Sequence, residues 1–231
     1  MKKQQKHTGK KKGTGKDKMT DKKVEEIKTR FRSLKIIPVV KIDDAKDAVS
    51  LAKALKEGGL PCSEITFRTA AAKEAIQSML EAYPDMLVGA GTILTTKQVD
   101  EAVEAGAKFI VSPGLNPKIV KYCQKIGIPI FPGVATASEI EQALELGIEV
   151  VKFFPAEVNG GLPAIKALSA PYSMIQFMPT GGINQQNVKE YLDCESVIAC
   201  GGTWMVKDSL IKNGEFEKIR EITKETMELI L

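Results

Sequence analysis

Residues 150–157 have the sequence Val150-Val151-Lys152-Phe153-Phe154-Pro155-Ala156-Glu157, a short apolar strand that contains one lysine and is stopped by a proline. An ammonium group that is buried without a partner is strongly unfavourable, so burial favours the neutral amine. A neutral, desolvated lysine is a nucleophile that forms Schiff bases with carbonyl compounds. The alternative is that Lys152 extends from the edge of the strand to water. The stretch alone does not decide between these two interpretations.

The same unit, a short apolar strand followed by a helix, is repeated along the chain. The predicted strands are residues 36–40, 62–67, 86–90, 109–112, 128–131, 149–154, 174–178 and 196–200. The predicted helices are residues 22–33, 44–57, 70–82, 96–105, 117–126, 137–146, 162–168, 185–192, 204–212 and 215–230. Strands without polar alternation are typical of parallel sheets that are buried on both faces. Eight consecutive βα units therefore predict an α/β protein with a (β/α)8 TIM barrel. An open doubly wound sheet is the alternative, but the Gly-rich dinucleotide fingerprint that it would carry is missing near the first strand.

The charge pattern divides the chain into a disordered basic tail, residues 1–20, and a single barrel domain with an N-terminal helix, residues 21–231. Residues 1–18 contain eight lysines and one acidic residue, against a formal net charge of +4 for the whole chain. The tail has no apolar residue between Met1 and Met19, so it has nothing to bury. Weak attraction to nucleic acid or another polyanion is the alternative role. Since no aromatic residue is interleaved with the lysines, we expect no specific nucleic-acid partner.

The composition excludes several function classes. No apolar run approaches the roughly 18 residues that a membrane span needs, and the N-terminus has no secretory pattern, so we expect a cytoplasmic protein with no membrane partner. Four cysteines, Cys62, Cys123, Cys194 and Cys200, lack metal-ligand spacing and are expected to be reduced thiols. The one histidine is His7, so histidine triads and histidine metal sites are excluded from the predicted domain.

A second ionisable residue is predicted inside the barrel beside Lys152. Alternate side chains of a barrel strand point inward. In the second strand Ile65 and Phe67 should face the helices, so Glu64 points inward. A buried Lys–Glu ion pair with a purely structural role is the alternative, but such pairs are a poor source of stability. We therefore interpret Lys152 as a nucleophile towards a carbonyl and Glu64 as its general acid–base partner.

Glycine and polar residues cluster at the carboxyl ends of the predicted strands, where sites of this fold lie. Thr180-Gly181-Gly182 and Gly201-Gly202-Thr203 follow the last two strands, which is the usual phosphate position of the fold. Arg68 can bind a carboxylate with two parallel hydrogen bonds, and Thr92 adds a hydroxyl. A substrate with two anions and a carbonyl is a phosphorylated keto acid.

At this point the chain resembles the 2-dehydro-3-deoxyphosphogluconate (KDPG) aldolases, which overlap with the 4-hydroxy-2-oxoglutarate (KHG) aldolases. The resemblance covers about residues 34–231 and rests on seven motifs: Ile37-Pro38-Val39-Val40, Glu64-Ile65-Thr66-Phe67-Arg68-Thr69, Val88-Gly89-Ala90-Gly91-Thr92, Val111-Ser112-Pro113-Gly114, Lys152-Phe153-Phe154-Pro155-Ala156-Glu157, Pro179-Thr180-Gly181-Gly182 and Gly201-Gly202-Thr203-Trp204.

The resemblance implies a class I aldolase that needs no cofactor and is usually a homotrimer. It implies that Lys152 forms the Schiff base and that Glu64 moves protons through a water. The substrate-binding residues that it implies are Arg68, Thr92 and Pro113 at the pyruvoyl carboxylate, Phe154 beside the lysine, and Thr180, Gly181, Gly182, Gly202 and Thr203 at the phosphate. The family commonly has serine where this chain has Thr203. Threonine keeps the hydroxyl and adds a methyl group beside the substrate.

Three alternatives remain at this point. An aldolase for the galactonate-derived epimer would use the same residues. A phosphate-binding barrel isomerase would use a carboxylate base without an imine-forming lysine. A non-catalytic sugar-phosphate sensor would bind without turnover, and it leaves Lys152 and Glu64 unexplained.

Overall fold

The computed structural model describes residues 15–230, with side chains from Asp21 onward. The strands are β1 (Ile36–Val40), β2 (Cys62–Thr66), β3 (Leu87–Gly91), β4 (Ile110–Val111), β5 (Ile130–Phe131), β6 (Gly133–Val134), β7 (Val150–Phe153), β8 (Gln176–Pro179) and β9 (Cys200–Gly202). The helices are α1 (Gly15–Leu34), α2 (Ala48–Glu57), α3 (Ala72–Ala82), α4 (Thr96–Glu104), α5 (Pro117–Ile126), α6 (Ala137–Glu145), α7 (Gly161–Ser169), α8 (Val188–Leu192), α9 (Asp208–Lys212) and α10 (Phe216–Ile230). Short 3-10 turns lie at Ala45–Asp47 and Trp204–Val206.

The strands form two parallel sheets. One has the order β5-β4-β3-β2-β1-β9, and the other has the order β6-β7-β8. Two isolated parallel bridges, Phe177 to Val197 and Thr180 to Gly201, link β8 to the segment that contains β9. The result is a curled α/β fold like that of TIM barrels, with helices on the outer face.

The structure differs from the predicted elements at four places that bear on the site. The predicted helix 204–212 is divided into the 3-10 turn Trp204–Val206 and α9. The predicted strand 128–131 continues past Pro132 and is divided into β5 and β6, because proline has no N–H for the ladder. The predicted strand 196–200 lies too early, since β9 pairs Gly201 with Ile37 and Gly202 with Pro38. The predicted helix 22–33 begins earlier, at Gly15, so the end of the predicted tail is helical. Residues 1–14 of that tail lie outside the described residues.

The core has two layers, which together position the site. Helix-side residues such as Val151 and Phe153 pack against the helices, whereas Val150 and Met178 point inward. This alternation confirms the predicted parity of the strand that carries Lys152. At the amino ends of the strands, Phe31 of α1 fills the interior. Its ring lies 5.1 Å from that of Phe109 and 5.0 Å from that of Phe131, so this end is closed by packed aromatics. The carboxyl end is left for the site.

Candidate active site

Lys152 of β7 and Glu64 of β2 meet inside the sheet. Lys152 Nζ lies 3.2 Å from Glu64 Oε1, and the two side chains are 5% and 1% exposed. Glu64 Oε2 is buried and accepts no hydrogen bond from the described residues. Moving one proton from Nζ to Oε1 leaves the net charge of the pair unchanged, so it produces a neutral amine and a carboxylic acid without creating a lone buried charge. The arrangement therefore suits a nucleophile with an acid–base group beside it.

The Glu64 carboxylate fits because strand β3 has a glycine opposite it. Gly91 pairs with Thr66, two positions beyond Glu64 on β2. A methyl group on Gly91 would lie 2.6 Å from Glu64 Cγ and would overlap the carboxylate itself. The absence of a side chain at position 91 is thus what allows the acid to point along the strand towards Lys152.

The next residue, Thr92, holds Arg68 at the carboxyl ends of β2 and β3. Thr92 has a φ of +56°, which is rare for a β-branched residue and is typical of functional sites. Its Oγ1 accepts a hydrogen bond of 3.1 Å from Arg68 Nε. The two terminal nitrogens of the guanidinium donate to no acceptor within residues 21–230, so they remain available for an anion such as a carboxylate.

These groups surround a cavity of about 440 Å³ at the carboxyl ends of the strands. Lys152 opens into it, with Nζ 5.3 Å from the centre of the Phe154 ring. The cavity is lined by Val39, Lys41, Thr66, Arg68, Lys152, Phe154, Thr180, Gly181, Gly182, Ile183, Gly201, Thr203, Val206, Lys207 and Asp208. Four of these are cations and one is an acid, so the cavity attracts anions. Another cavity, of about 510 Å³, lies beneath α1 at the amino end and contains none of the predicted site residues.

The loop after β8 presents backbone donors to the cavity. Gly181 and Gly182 have φ angles of +98° and +85°, a conformation that favours glycine. The N–H groups of residues 181–183 donate to no acceptor within the described chain. Consecutive backbone donors that are left free in this way form a concave anion site. Thr203, exposed on the same cavity, has no hydrogen bond from its hydroxyl to the described residues.

Four predicted residues do not line the cavity. Glu64 and Thr92 contact the lining residues Lys152 and Arg68, and Pro113 and Gly202 lie nearby. Pro113 follows β4 and is half-buried, with its carbonyl against Gly133, the register partner of Lys152. Gly202 is buried within β9, where a methyl group would lie 2.6 Å from Trp204 Cε3, and Gly201 takes its place in the lining. The packing against Trp204 explains why a larger residue does not fit at position 202, and the contact of Gly202 with the phosphate stays a prediction.

Three charged lining residues, Lys41, Lys207 and Asp208, were missed by the sequence analysis. Lys41 directly follows the first predicted strand, so its position at a strand end was the signal that could have found it. Lys207 and Asp208 follow the 3-10 turn after β9, whose path the sequence did not predict. Among the described residues, Lys207 has no acidic partner, which leaves its charge free to act on a ligand.

Lys41 and Asp208, in contrast, belong to a ring of ion pairs at the rim. Lys41 Nζ lies 2.8 Å from Asp43 and 3.6 Å from Asp208, and Lys212 Nζ lies 2.9 Å from Asp43 and 2.7 Å from Asp208. Hydrogen bonds from Lys212 and Lys41 lower the pKa of Asp43. The ring ties the loop after β1 to α9 beside the cavity.

Among the described residues, no group of three or more His, Cys, Asp or Glu side chains has the geometry of a metal site. No helix between residues 15 and 230 is long and apolar enough to cross a bilayer.

Known proteins resemble this chain in sequence and in structure. A family model described as "Aldolase: KDPG and KHG aldolase" matches residues 27–222. A 2-dehydro-3-deoxy-phosphogluconate aldolase of Treponema pallidum is 48% identical over 197 residues, which cover 85% of this chain and 94% of that protein. A KHG/KDPG aldolase of Escherichia coli K12 is 39% identical over 193 residues, which cover 84% and 91%. A crystal structure of a KDPG aldolase from Legionella pneumophila, with pyruvate captured as a covalent carbinolamine, superposes with a TM-score of 0.83 at 40% identity, covering 86% of this chain and 97% of that one.

Proposed function

The chain belongs to the KDPG and KHG aldolase family, and we propose that it cleaves 2-dehydro-3-deoxy-6-phosphogluconate to pyruvate and glyceraldehyde 3-phosphate by a class I mechanism. The observation that carries this proposal is the buried contact of 3.2 Å between Lys152 Nζ and Glu64 Oε1, at the floor of a cavity lined by cations. The motifs that surround both residues are those of the family.

The reaction begins with formation of a Schiff base on Lys152. The neutral amine attacks the C2 ketone to give a carbinolamine, and loss of water gives a cationic imine. Glu64 supplies the proton that the departing hydroxyl needs and takes it back at later steps. In the KDPG aldolase of Legionella pneumophila a covalent carbinolamine of pyruvate was captured, which is the adduct of the cleavage product in that protein.

The imine then acts as the electron sink for carbon–carbon cleavage. Glu64, through a water, removes the proton of the C4 hydroxyl. The C3–C4 bond breaks, glyceraldehyde 3-phosphate leaves, and the electron pair becomes an enamine on Lys152. Protonation of C3 and hydrolysis of the imine release pyruvate and regenerate the amine. The sink is formed from the substrate and the protein, so the chemistry needs no cofactor.

The two ends of the cavity orient the substrate. Arg68 and Thr92 would hold the pyruvoyl carboxylate, since the guanidinium is fixed through Nε and its terminal nitrogens are free. Pro113 would border the same end from the neighbouring strand. The free N–H groups of residues 181–183 and the hydroxyls of Thr180 and Thr203 would hold the phosphate, and Lys207 adds a charge there. The Phe154 ring, whose centre lies 5.3 Å from Lys152 Nζ, would reduce the access of water to the imine.

A second substrate, 4-hydroxy-2-oxoglutarate, is favoured by a specific finding. The Escherichia coli relative is named a KHG/KDPG aldolase. That substrate carries a carboxylate where the phosphate would lie, and the cationic cavity attracts either anion. We propose cleavage of this compound to pyruvate and glyoxylate as a secondary activity. A coupled assay that measures pyruvate release from both substrates and from the galactonate-derived epimer ranks the three by kcat/KM.

We further propose that the two sheets close as one eight-stranded barrel in a single domain over residues 21–231. Support comes from the single residue, Pro132, between β5 and β6, and from the bridges between β8 and β9. We propose a cytoplasmic homotrimer, as the family resemblance implies.

Borohydride trapping tests the mechanism. Treating the protein with pyruvate and borohydride should inactivate it and add one reduced pyruvyl group to Lys152. Lys41 and Lys207 line the same cavity and are internal controls that should stay unlabelled. Lys152→Arg should abolish trapping, because the guanidinium stays charged. Label on another lysine would refute the role of Lys152, and cleavage without any trapping would refute the class I assignment. Absence of both cleavage and trapping would favour the isomerase alternative.

A further inference from the structure

Glu157 and Tyr191 are not used by the mechanism above, yet they contact the loop that would bind phosphate. Glu157 follows β7 in the same stretch as Lys152, and Tyr191 lies on α8, the helix that the loop after β8 leads into. A carboxylate beside an anion site is unfavourable on electrostatic grounds alone. The Glu157 carboxylate therefore needs an explanation other than contact with the anion.

Glu157 holds the loop through its backbone and through its side-chain stem. The backbone N–H of Glu157 donates to the carbonyl of Gly181 at 3.1 Å, and that of Ala156 donates to the carbonyl of Thr180 at 2.8 Å. The stem of Glu157 occupies the space where Gly182 would carry a side chain, since a methyl group there would lie 2.6 Å from Glu157 Cβ. These contacts turn the carbonyls of Thr180 and Gly181 away from the cavity.

Two asparagines hold the next carbonyl in the same way. The side-chain amides of Asn184 and Asn187 donate to the carbonyl of Gly182 at 3.1 and 3.2 Å. With the carbonyls bound on the outer side, the N–H groups of residues 181–183 are directed to the cavity. The donor geometry at the site thus depends on what holds the carbonyls.

Tyr191 fixes the Glu157 side chain in place. Its hydroxyl donates a hydrogen bond to Glu157 Oε1, and the tyrosine is 2% exposed. Gly161 makes room for this contact, because a methyl group there would lie 2.9 Å from the Tyr191 hydroxyl and 3.0 Å from Glu157 Oε1. Burial and the hydrogen bond to Glu157 raise the pKa of Tyr191, so the phenol stays protonated and remains the donor at neutral pH.

We propose that Glu157 and Tyr191 are a positioning pair that keeps the donors of residues 181–183 in place, and that the pair sets the preference for a phosphorylated over an unphosphorylated substrate. The inference rests on the proposed function. The pair connects the strand of the Schiff-base lysine to the phosphate loop, so the hydrogen bond between Tyr191 and Glu157 acts together with the backbone bonds of Ala156 and Glu157 in fixing the distance between the reacting amine and the phosphate site. Loss of that bond should loosen phosphate binding and leave the amine unchanged.

The test compares Tyr191→Phe with Tyr172→Phe. Tyr172 also donates to a glutamate, with its hydroxyl 2.8 Å from Glu141 Oε1, but it lies away from the cavity, so the second variant is a matched control. Tyr191→Phe should raise KM for 2-dehydro-3-deoxy-6-phosphogluconate by about tenfold, the effect of losing one hydrogen bond to a charged acceptor. The pyruvate concentration for half-maximal borohydride trapping should stay within about twofold, since pyruvate carries no phosphate. Tyr172→Phe should change neither quantity.

Glu157→Gln provides the conservative variant, because the amide oxygen still accepts from Tyr191 and should keep KM within about threefold of wild type. A purely structural role predicts a lower melting temperature with equal changes in KM and in trapping, and that result would overturn the positioning pair. The same holds if Tyr191→Phe leaves KM unchanged. Absence of trapping in the wild-type protein would instead refute the proposed function, so the two failures are distinguishable.

Discussion

Gly91→Ala should disable the acid–base group without altering any ionisable residue. The added methyl group would lie 2.6 Å from Glu64 Cγ and 2.7 Å from Cδ, which is too close for the two side chains to keep their positions. The carboxylate must therefore leave its position 3.2 Å from Lys152 Nζ. We expect turnover to fall about 10²- to 10⁴-fold, the usual contribution of a positioned acid–base group. Trapping with pyruvate should persist, because the nucleophile is intact.

The matched control for this variant is Gly89→Ala in the same strand. Gly89 is the register partner of Glu64, but a methyl group on it would lie 2.6 Å from Phe109 Cδ2, and its three nearest atoms all belong to the ring of Phe109 in the aromatic packing at the amino end. Overpacking costs about 1–3 kcal/mol, and for a domain of this size the melting temperature falls by about 2–4 °C for each kcal/mol. Both variants should thus melt lower, but Gly89→Ala should keep kcat within about threefold. Wild-type turnover in Gly91→Ala, or an equal loss in both variants, would refute the argument that the glycine serves the carboxylate.

Four further variants, three single and one double, test other parts of the structure. Lys207→Met should raise KM for the phosphorylated substrate, with an effect that shrinks as salt is added, since the charge is exposed and screened; a salt-independent effect would contradict this. Thr203→Ala should raise KM for the phosphorylated substrate more than for 4-hydroxy-2-oxoglutarate, by about 1.5–3 kcal/mol in binding, and equal effects would place the hydroxyl elsewhere. Phe31→Ala should lower the free energy of unfolding by about 3–5 kcal/mol in a denaturant titration, and an unchanged midpoint would show that the amino end is not closed by packing. The double change Lys152→Met with Glu64→Leu should abolish activity and leave stability equal or higher by about 1–4 kcal/mol, whereas a large loss would show that the pair is structural.

The sequence predicted those features that depend on local periodicity. Strand β1 begins and ends where its apolar run does, at Ile36 and Val40. The inward direction of Lys152 and Glu64 followed from parity alone, because a strand has a period of two residues. Their contact then followed from the high cost of two separate buried charges.

Features that depend on the path of the chain in space were not predictable in this way. The apolar run at 196–200 looks like a strand, but the ladder with β1 begins only at Cys200, since pairing is set by the neighbouring strand. Lys207 reaches the cavity because the chain turns through Trp204–Val206 before α9, and nothing local signals that turn. The need for glycine at position 91 could not be predicted for the same reason, because the side chain that occupies the space beside it, Glu64, is on another strand.

The distribution of residues along the strands separates stability from chemistry. At the amino end, Phe31, Phe109 and Phe131 are each 1% exposed or less and pack as a closed aromatic cluster. At the carboxyl end, the same interior holds a buried lysine, a buried acid with one oxygen that has no partner among residues 21–230, and a glycine that adds no side-chain volume. Each of these is destabilising relative to an apolar side chain of matching shape. Because apolar packing at the amino end and around the helices stabilises the fold independently of them, the carboxyl end can retain a costly pair whose arrangement is explained by imine chemistry.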